Sequence, residues 1–150
     1  MSFEEKLTWV NTVTTIIVAA AYAWIVGSQI AAGPVAEIAY QRPMIIAVGA
    51  MIVLTIVGAI ATAIGTAIGI TVTGKGSVDD IEKKDERDVH INRRGDLVGY
   101  YVSSVLMVGA FAVTMLELPH FWIANAMFAA FVVAGLTSSA VKLVAYRKGF

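Results

Sequence analysis

The sequence predicts an all-α integral membrane protein: a four-helix bundle with both termini in the cytoplasm and a charged cytoplasmic helix leading into the third span. An apolar composition, four long uncharged runs and a one-sided distribution of basic residues support this prediction. Of the 150 residues, 58% are hydrophobic and 15% are charged, whereas soluble domains carry about 25% charged residues. A soluble core of this size could not bury so much apolar surface. The composition therefore excludes an ordinary soluble domain, a disordered chain and a nucleic-acid-binding protein with a basic face.

The four spans follow from runs that contain no charged residue over at least 20 positions, enough for a helix to cross the ~30 Å hydrocarbon core. Gly33-Pro34 ends the first span, Gly74-Lys75-Gly76 breaks the second, and Pro119 leaves a connection of about four residues between the last two. The second run is longer than an upright span needs, so its helix is expected to tilt or to project into the cytoplasm. The predicted spans are Leu7–Ile30, Pro43–Val72, Leu97–Glu117 and Phe121–Tyr146, with a cytoplasmic segment over residues 73–96.

Basic residues set the predicted orientation, because cytoplasmic loops of membrane proteins carry an excess of Lys and Arg. Lys6 precedes the first span, six basic residues lie between the second and third spans, and three follow the fourth. Arg42 stands alone on the other side, so ten of the eleven basic residues share one face. Both termini are therefore expected in the cytoplasm.

Polar and small residues within the spans are expected to face other helices, because lipid offers no hydrogen-bond partners. The second span carries Gly58, Thr62, Gly65 and Gly69 on one broad face, and Asn125 is the most polar side chain well inside the fourth span. We interpret the face as a helix-packing surface, within the monomer or across a dimer, and Asn125 as a partner in an interhelical hydrogen bond. The alternative is a polar pore or substrate path along the Thr/Gly face.

The charged segment over residues 77–96 is the one soluble stretch of any size. A helix could begin at Val78 and continue into the third span, with Gly95 or Gly99 as a hinge. Four interpretations stay open: a docking surface for a partner protein or a second copy, a metal site, a pH switch at His90, or a solvated helix that self-pairs. The metal site would use Asp85, Glu86, Asp88 and His90.

The candidate interaction residues of this segment are Asp85, Glu86, Arg87, Asp88, Arg93 and Arg94. Like charges at Glu82–Glu86 and Lys83–Arg87 repel slightly along an isolated helix, so a partner of mixed charge would relieve both pairs. We expect the acidic residues to form salt bridges with Arg93 or Arg94 of a neighbouring chain, or with the basic residues of the tail. Anionic lipid headgroups would also suit Arg93 and Arg94.

The run Asp85-Glu86-Arg87-Asp88 precedes a span with Tyr100-Tyr101-Val102, and Phe121-Trp122-Ile123-Ala124-Asn125-Ala126 and Val141-Lys142-Leu143-Val144-Ala145-Tyr146-Arg147 follow. This pattern resembles small four-span prokaryotic membrane proteins of unknown function with a D-E-R-D signature at the start of the third helix. The resemblance covers mainly Asp85–Phe150. It implies a prokaryotic plasma membrane and a role for Asp85–Asp88 in the shared fold or partner. It implies no catalytic or binding role, since the family has no assigned activity.

The sequence offers no nucleophile–base pair, its two histidines are expected on opposite membrane faces, and it has no cysteine. The last point excludes disulfides, thiolate catalysis and iron–sulfur ligation. We expect a non-enzymatic homo-oligomer without metal or cofactor, surrounded by membrane lipids and with a possible cytoplasmic or membrane protein partner. It would act as an interaction, accessory or regulatory subunit through its cytoplasmic helix. The alternative is a small oligomeric transporter or channel, although a proton-coupled one would normally carry an ionisable group at depth.

Overall fold

A computed structural model describes residues 2–73 and 86–148 of the chain. These residues form four long α-helices joined by short connections, the first of which contains a 3₁₀ turn at Val35–Glu37. The predicted all-α class is confirmed for the described residues, and each helix is long and apolar enough to cross a membrane, which indicates a membrane protein. The helices are α1 Phe3–Ala32, α2 Gln41–Thr73, α3 Glu86–Met115 and α4 His120–Lys148.

The helices extend beyond the predicted spans at the end of the molecule that carries Ser2 and Lys148, called here the termini end. α1 begins at Phe3 because Ser2 caps it: the Glu5 backbone N–H donates to Ser2 Oγ over 3.2 Å. α3 is already helical at Glu86 and continues without a break to Met115. The predicted helix start at Val78 lies outside the described residues.

The hairpin between α3 and α4 is tight. α3 ends at Met115, before the predicted boundary of the span, because Glu117 adopts a left-handed backbone conformation. Glu117 has a φ of 52°, a conformation that cannot continue a right-handed helix. Its backbone N–H donates to the Thr114 carbonyl over 3.1 Å. Pro119 then accepts from the Trp122 N–H over 2.8 Å and starts α4.

The helices form a curved row in the order α2, α1, α4, α3, since the extensive contacts among the described residues are α3 with α4, α1 with α2, and α1 with α4. α2 therefore packs mainly on α1 and exposes most of its surface, including Ile45 at 72%. Lys6 Nζ donates to Thr66 Oγ1 over 3.2 Å. The contact of Gly58 with Val10 sets a register that carries α2 about 12 Å past the start of α1.

The interior differs between the two ends of the row. At the loop end, opposite the termini, Tyr22 lies within a buried apolar cluster, and the Tyr40 ring packs edge-on against Phe121 with centroids 5.2 Å apart. At the termini end, charged and amide side chains line the interior. The other buried members of the apolar cluster are Val18, Val26, Ile38, Ala47 and Phe121.

Candidate functional site

Two hydrogen bonds tie the first turns of α3 to the start of α1. Ser2 Oγ donates to Asp88 Oδ1 over 3.4 Å, and Asn92 Nδ2 donates to Glu4 Oε2 over 2.9 Å. Asp88 and Ile91 are buried against this junction. The helix turns that the sequence assigns to a cytoplasmic segment are therefore packed into the bundle.

The same turns of α3 are also fixed to α4. Lys142 Nζ lies 2.7 Å from Asp96 Oδ1, and Arg87 Nη2 donates to the Tyr146 carbonyl over 3.4 Å. Glycine makes a close approach possible at this crossing. A Cβ at Gly99 would lie 2.9 Å from Ser138 Cβ, and one at Gly95 would overlap the Lys142 side chain.

The opposite side of α3 is exposed and mainly basic. We call the exposed residues His90, Arg93 and Arg94, together with Arg87, the basic face. They surround a shallow concavity that ends at Leu97, the first residue of the uncharged run. Since Arg87 also donates to α4, the basic face is held in a fixed orientation relative to the bundle.

A polar cavity of about 410 Å³ lies on the inner side of the helix row near the termini end. All four helices contribute to its wall, so it exists only in the tertiary structure. Thr55 Oγ1 donates to Asn11 Oδ1 over 3.4 Å at its deeper part. The polar side chains of the wall are Glu4, Thr8, Asn11, Thr55, Asn92, Asp96, Ser138, Ser139 and Lys142.

At the loop end, the most polar residue of the fourth span joins α4 to α1. Tyr22 Oη donates to Asn125 Oδ1 over 2.7 Å, while Asn125 Nδ2 donates to the Phe121 carbonyl of its own helix. An apolar groove of about 380 Å³ runs beside this pair between α1 and α4. Its lining offers no charged group, which gives it little chemistry beyond contact with apolar chains.

The small-residue face of α2 divides into two parts. A Cβ at Gly58 would overlap Val10 Cγ1 of α1, and Thr62 Oγ1 donates to the Gly58 carbonyl over 2.7 Å. Gly65 and Gly69 are exposed, and a Cβ at either position would meet nothing within 4 Å. The first part packs within the monomer, and packing of the second part against another chain stays a prediction.

The candidate interaction residues do not lie on one surface. Glu86, Arg87, Arg93 and Arg94 are exposed, Asp88 is buried on the other side of α3, and Asp85 lies outside the described residues. Within residues 2–73 and 86–148, no three acidic or histidine side chains come together as a metal site requires.

The sequence alone does not identify the residue pairs that join the helices at the termini end. In the sequence, Asp96 is only the last charge before an uncharged run, and Lys142 is one of several basic residues of the tail. The useful signal is the Gly95-x-x-x-Gly99 spacing, which marks the place where α3 approaches α4. Nothing local in the sequence pairs Asn92 with Glu4.

Comparison with known proteins gave no relative: no protein-family model, curated protein or solved structure matches this chain.

Proposed function

We propose that this protein is a non-enzymatic integral membrane subunit that recognises a partner through the basic face at the start of α3. One observation carries the proposal: the first turns of α3 are held by α1 and α4, yet their outer side is exposed. Ser2, Glu4 and Lys142 hold the inner side. A binding surface that is already ordered loses less entropy on association.

The partner that suits this surface is acidic. Arg93 is exposed on this face, and a guanidinium group can hold a carboxylate in a bidentate geometry. Glu86 is exposed at the same end of the helix and accepts a basic group of the partner. A second copy of this chain carries both kinds of charge, so a homo-oligomer is the simplest assembly.

We place the protein in a prokaryotic plasma membrane with both termini and the basic face in the cytoplasm, among membrane lipids. The excess of Lys and Arg at the termini end supports this orientation, and the D-E-R-D resemblance supports a prokaryotic membrane. Reporter fusions at the C-terminus test it. A fusion active only in the periplasm would contradict the orientation.

Photo-crosslinking in living cells tests the partner. A photoreactive residue in place of His90 should give a discrete protein adduct, and Arg93→Glu should diminish that adduct. The same residue in place of Trp24, which is 81% exposed at the loop end, is the matched control. Adducts to lipid alone, or the same adduct from both positions, would contradict partner recognition through the basic face. An adduct of twice the chain mass identifies the second copy.

A small oligomeric transporter or channel is the second candidate, and the polar cavity favours it. The cavity reaches Asn11 and Thr55, about 10 Å along α1 from Glu4. Gly65 and Gly69 lie on the exposed side of α2 and do not line it. Solute flux into proteoliposomes tests this candidate, and flux that Ser138→Trp does not reduce would contradict a path through the cavity.

A further inference from the structure

We infer that the polar cavity holds water and binds small uncharged solutes that carry hydroxyl or amide groups. The cavity is separate from the basic face, so the inference holds whether or not that face binds a partner. Three properties of the wall support it: a buried hydroxyl without a protein partner, charged groups that are already paired, and neutral groups that both donate and accept hydrogen bonds.

The buried hydroxyl indicates a polar occupant of the cavity. Ser139 lines the cavity and is only 4% exposed. Its hydroxyl makes no hydrogen bond to any group in the part of the chain that the structure describes. A buried hydroxyl without a partner is costly, and acyl chains offer none. Water or a polar solute in the cavity supplies that partner.

The charged groups of the wall already have protein partners. Glu4 accepts a hydrogen bond from Asn92, and Lys142 Nζ lies 2.7 Å from Asp96 Oδ1. A charged solute would compete with these partners for the same groups, and charge-assisted hydrogen bonds are the stronger kind. It would also lose more hydration than an uncharged solute on entering an enclosed space. The wall therefore favours uncharged solutes.

The neutral groups of the wall both donate and accept hydrogen bonds. Asn11 Oδ1 accepts from Thr55, while Asn11 Nδ2 has no partner among the described residues. Asn92 uses its amide nitrogen for Glu4, which leaves its amide oxygen as an acceptor. Hydroxyl and amide solutes carry donors and acceptors together. A water molecule takes about 30 Å³ of liquid volume, so a cavity of about 410 Å³ holds several waters or one solute the size of glycerol.

The experiment introduces a single thiol, because the chain has no cysteine. Gly135→Cys places the thiol in the wall, at a position where an added Cβ meets nothing within 4 Å. Methanethiosulfonate reagents react with the thiolate, and a thiol in hydrocarbon stays protonated, so the rate of reaction reports water. Gly109→Cys is the matched control, because Gly109 is exposed on α3, does not line the cavity and has equal space for a Cβ.

The full-length protein in lipid nanodiscs is treated with uncharged, cationic and anionic methanethiosulfonate reagents of similar size. Each rate is divided by that of free cysteine in the same buffer. In the Gly135→Cys variant, the normalised rate of the uncharged reagent should exceed both charged rates by about tenfold or more, since one charge-assisted hydrogen bond is worth at least that factor. The Gly109→Cys variant should react with the uncharged reagent about tenfold more slowly than the Gly135→Cys variant, because its thiol faces lipid.

Glycerol is the occupancy probe. It should slow the uncharged reagent in the Gly135→Cys variant, whereas a heptasaccharide at the same osmolality, which is larger than the cavity, should not. Ser139→Ala in the same background removes the buried hydroxyl and should weaken the protection by glycerol. Ser104→Ala removes a hydroxyl from the exposed side of α3 and should leave that protection unchanged.

Several results would overturn the inference. An introduced thiol in the wall that reacts with no reagent until the protein is unfolded would show a dry cavity. A normalised rate of the uncharged reagent no higher than the charged rates, or equal slowing by glycerol and the heptasaccharide, would show that the cavity does not bind uncharged solutes. Ala59→Cys, on the α2 side of the wall, gives the same measurements should Gly135→Cys fail to fold.

Discussion

Gly99→Ala should destabilise the protein, because Gly99 lies where α3 comes closest to α4. An added Cβ would lie 2.9 Å from Ser138 Cβ and 3.2 Å from the Ala134 carbonyl oxygen. Carbon atoms in normal contact are about 3.5–4.0 Å apart, and the carbonyl belongs to a helix backbone that cannot move alone. Overpacking of this kind costs about 1–3 kcal/mol.

The helix propensity of alanine opposes that cost by about 1 kcal/mol, so a matched glycine is needed to isolate the steric effect. Gly109 lies in the same helix, and a Cβ there would meet nothing within 4 Å. Gly109→Ala should therefore gain the helix propensity of alanine without any steric cost. The difference in unfolding free energy between the two variants should be about 1–3 kcal/mol, since the propensity contributions cancel.

Unfolding in mixed micelles with increasing dodecyl sulfate measures both variants. A second test removes the obstacle: Ser138→Gly combined with Gly99→Ala should recover part of the loss, which a double-mutant cycle reports as a favourable coupling. If the unfolding free energies of the Gly99→Ala and Gly109→Ala variants agree within about 0.3 kcal/mol, the close approach of α3 and α4 is refuted.

Further predictions concern the loop end and α2. Tyr22→Phe should lower the unfolding free energy by about 1 kcal/mol, because Asn125 Oδ1 loses its donor inside the bundle. Glu117→Gly should raise the unfolding free energy by about 0.5–1 kcal/mol, because glycine adopts a positive φ without strain. Gly65→Leu should leave the unfolding free energy of the monomer nearly unchanged and weaken self-association in detergent, as judged by light scattering. Gly58→Leu should destabilise the monomer itself, because it drives α2 away from α1.

Control variants accompany these predictions. Tyr101→Phe is the control for Tyr22→Phe, because it removes a hydroxyl from a ring that is 60% exposed. If both variants lose the same unfolding free energy, the result argues against the interhelical hydrogen bond. Leu116→Gly alters the same hairpin without a positive φ and should not stabilise. Gly49→Leu enlarges an exposed glycine about 160° around α2 from Gly65. Equal self-association in the Gly49→Leu and Gly65→Leu variants would leave the Gly65 face as a lipid-facing surface.

The local pattern of the sequence was sufficient to predict four long helices. A charge-free run of 20 or more residues decides for one segment alone whether a helix can cross a bilayer. The cap at Ser2 and the turn before Pro119 are equally local, because their hydrogen bonds join residues three or four positions apart. These features depend on neighbours in the chain and not on the rest of the fold.

The short connection at Pro119 predicts that α3 and α4 meet, but only the tertiary structure decided how α1 and α2 join them and what lies between the helices. Gly65-x-x-x-Gly69 and Gly95-x-x-x-Gly99 have the same spacing, yet the first is exposed and the second is pressed against α4. The Asp96–Lys142 pair and the polar cavity likewise join residues far apart in sequence. The physical reason is that membrane insertion depends on the composition of one segment, whereas helix pairing depends on complementary shapes and hydrogen bonds between segments.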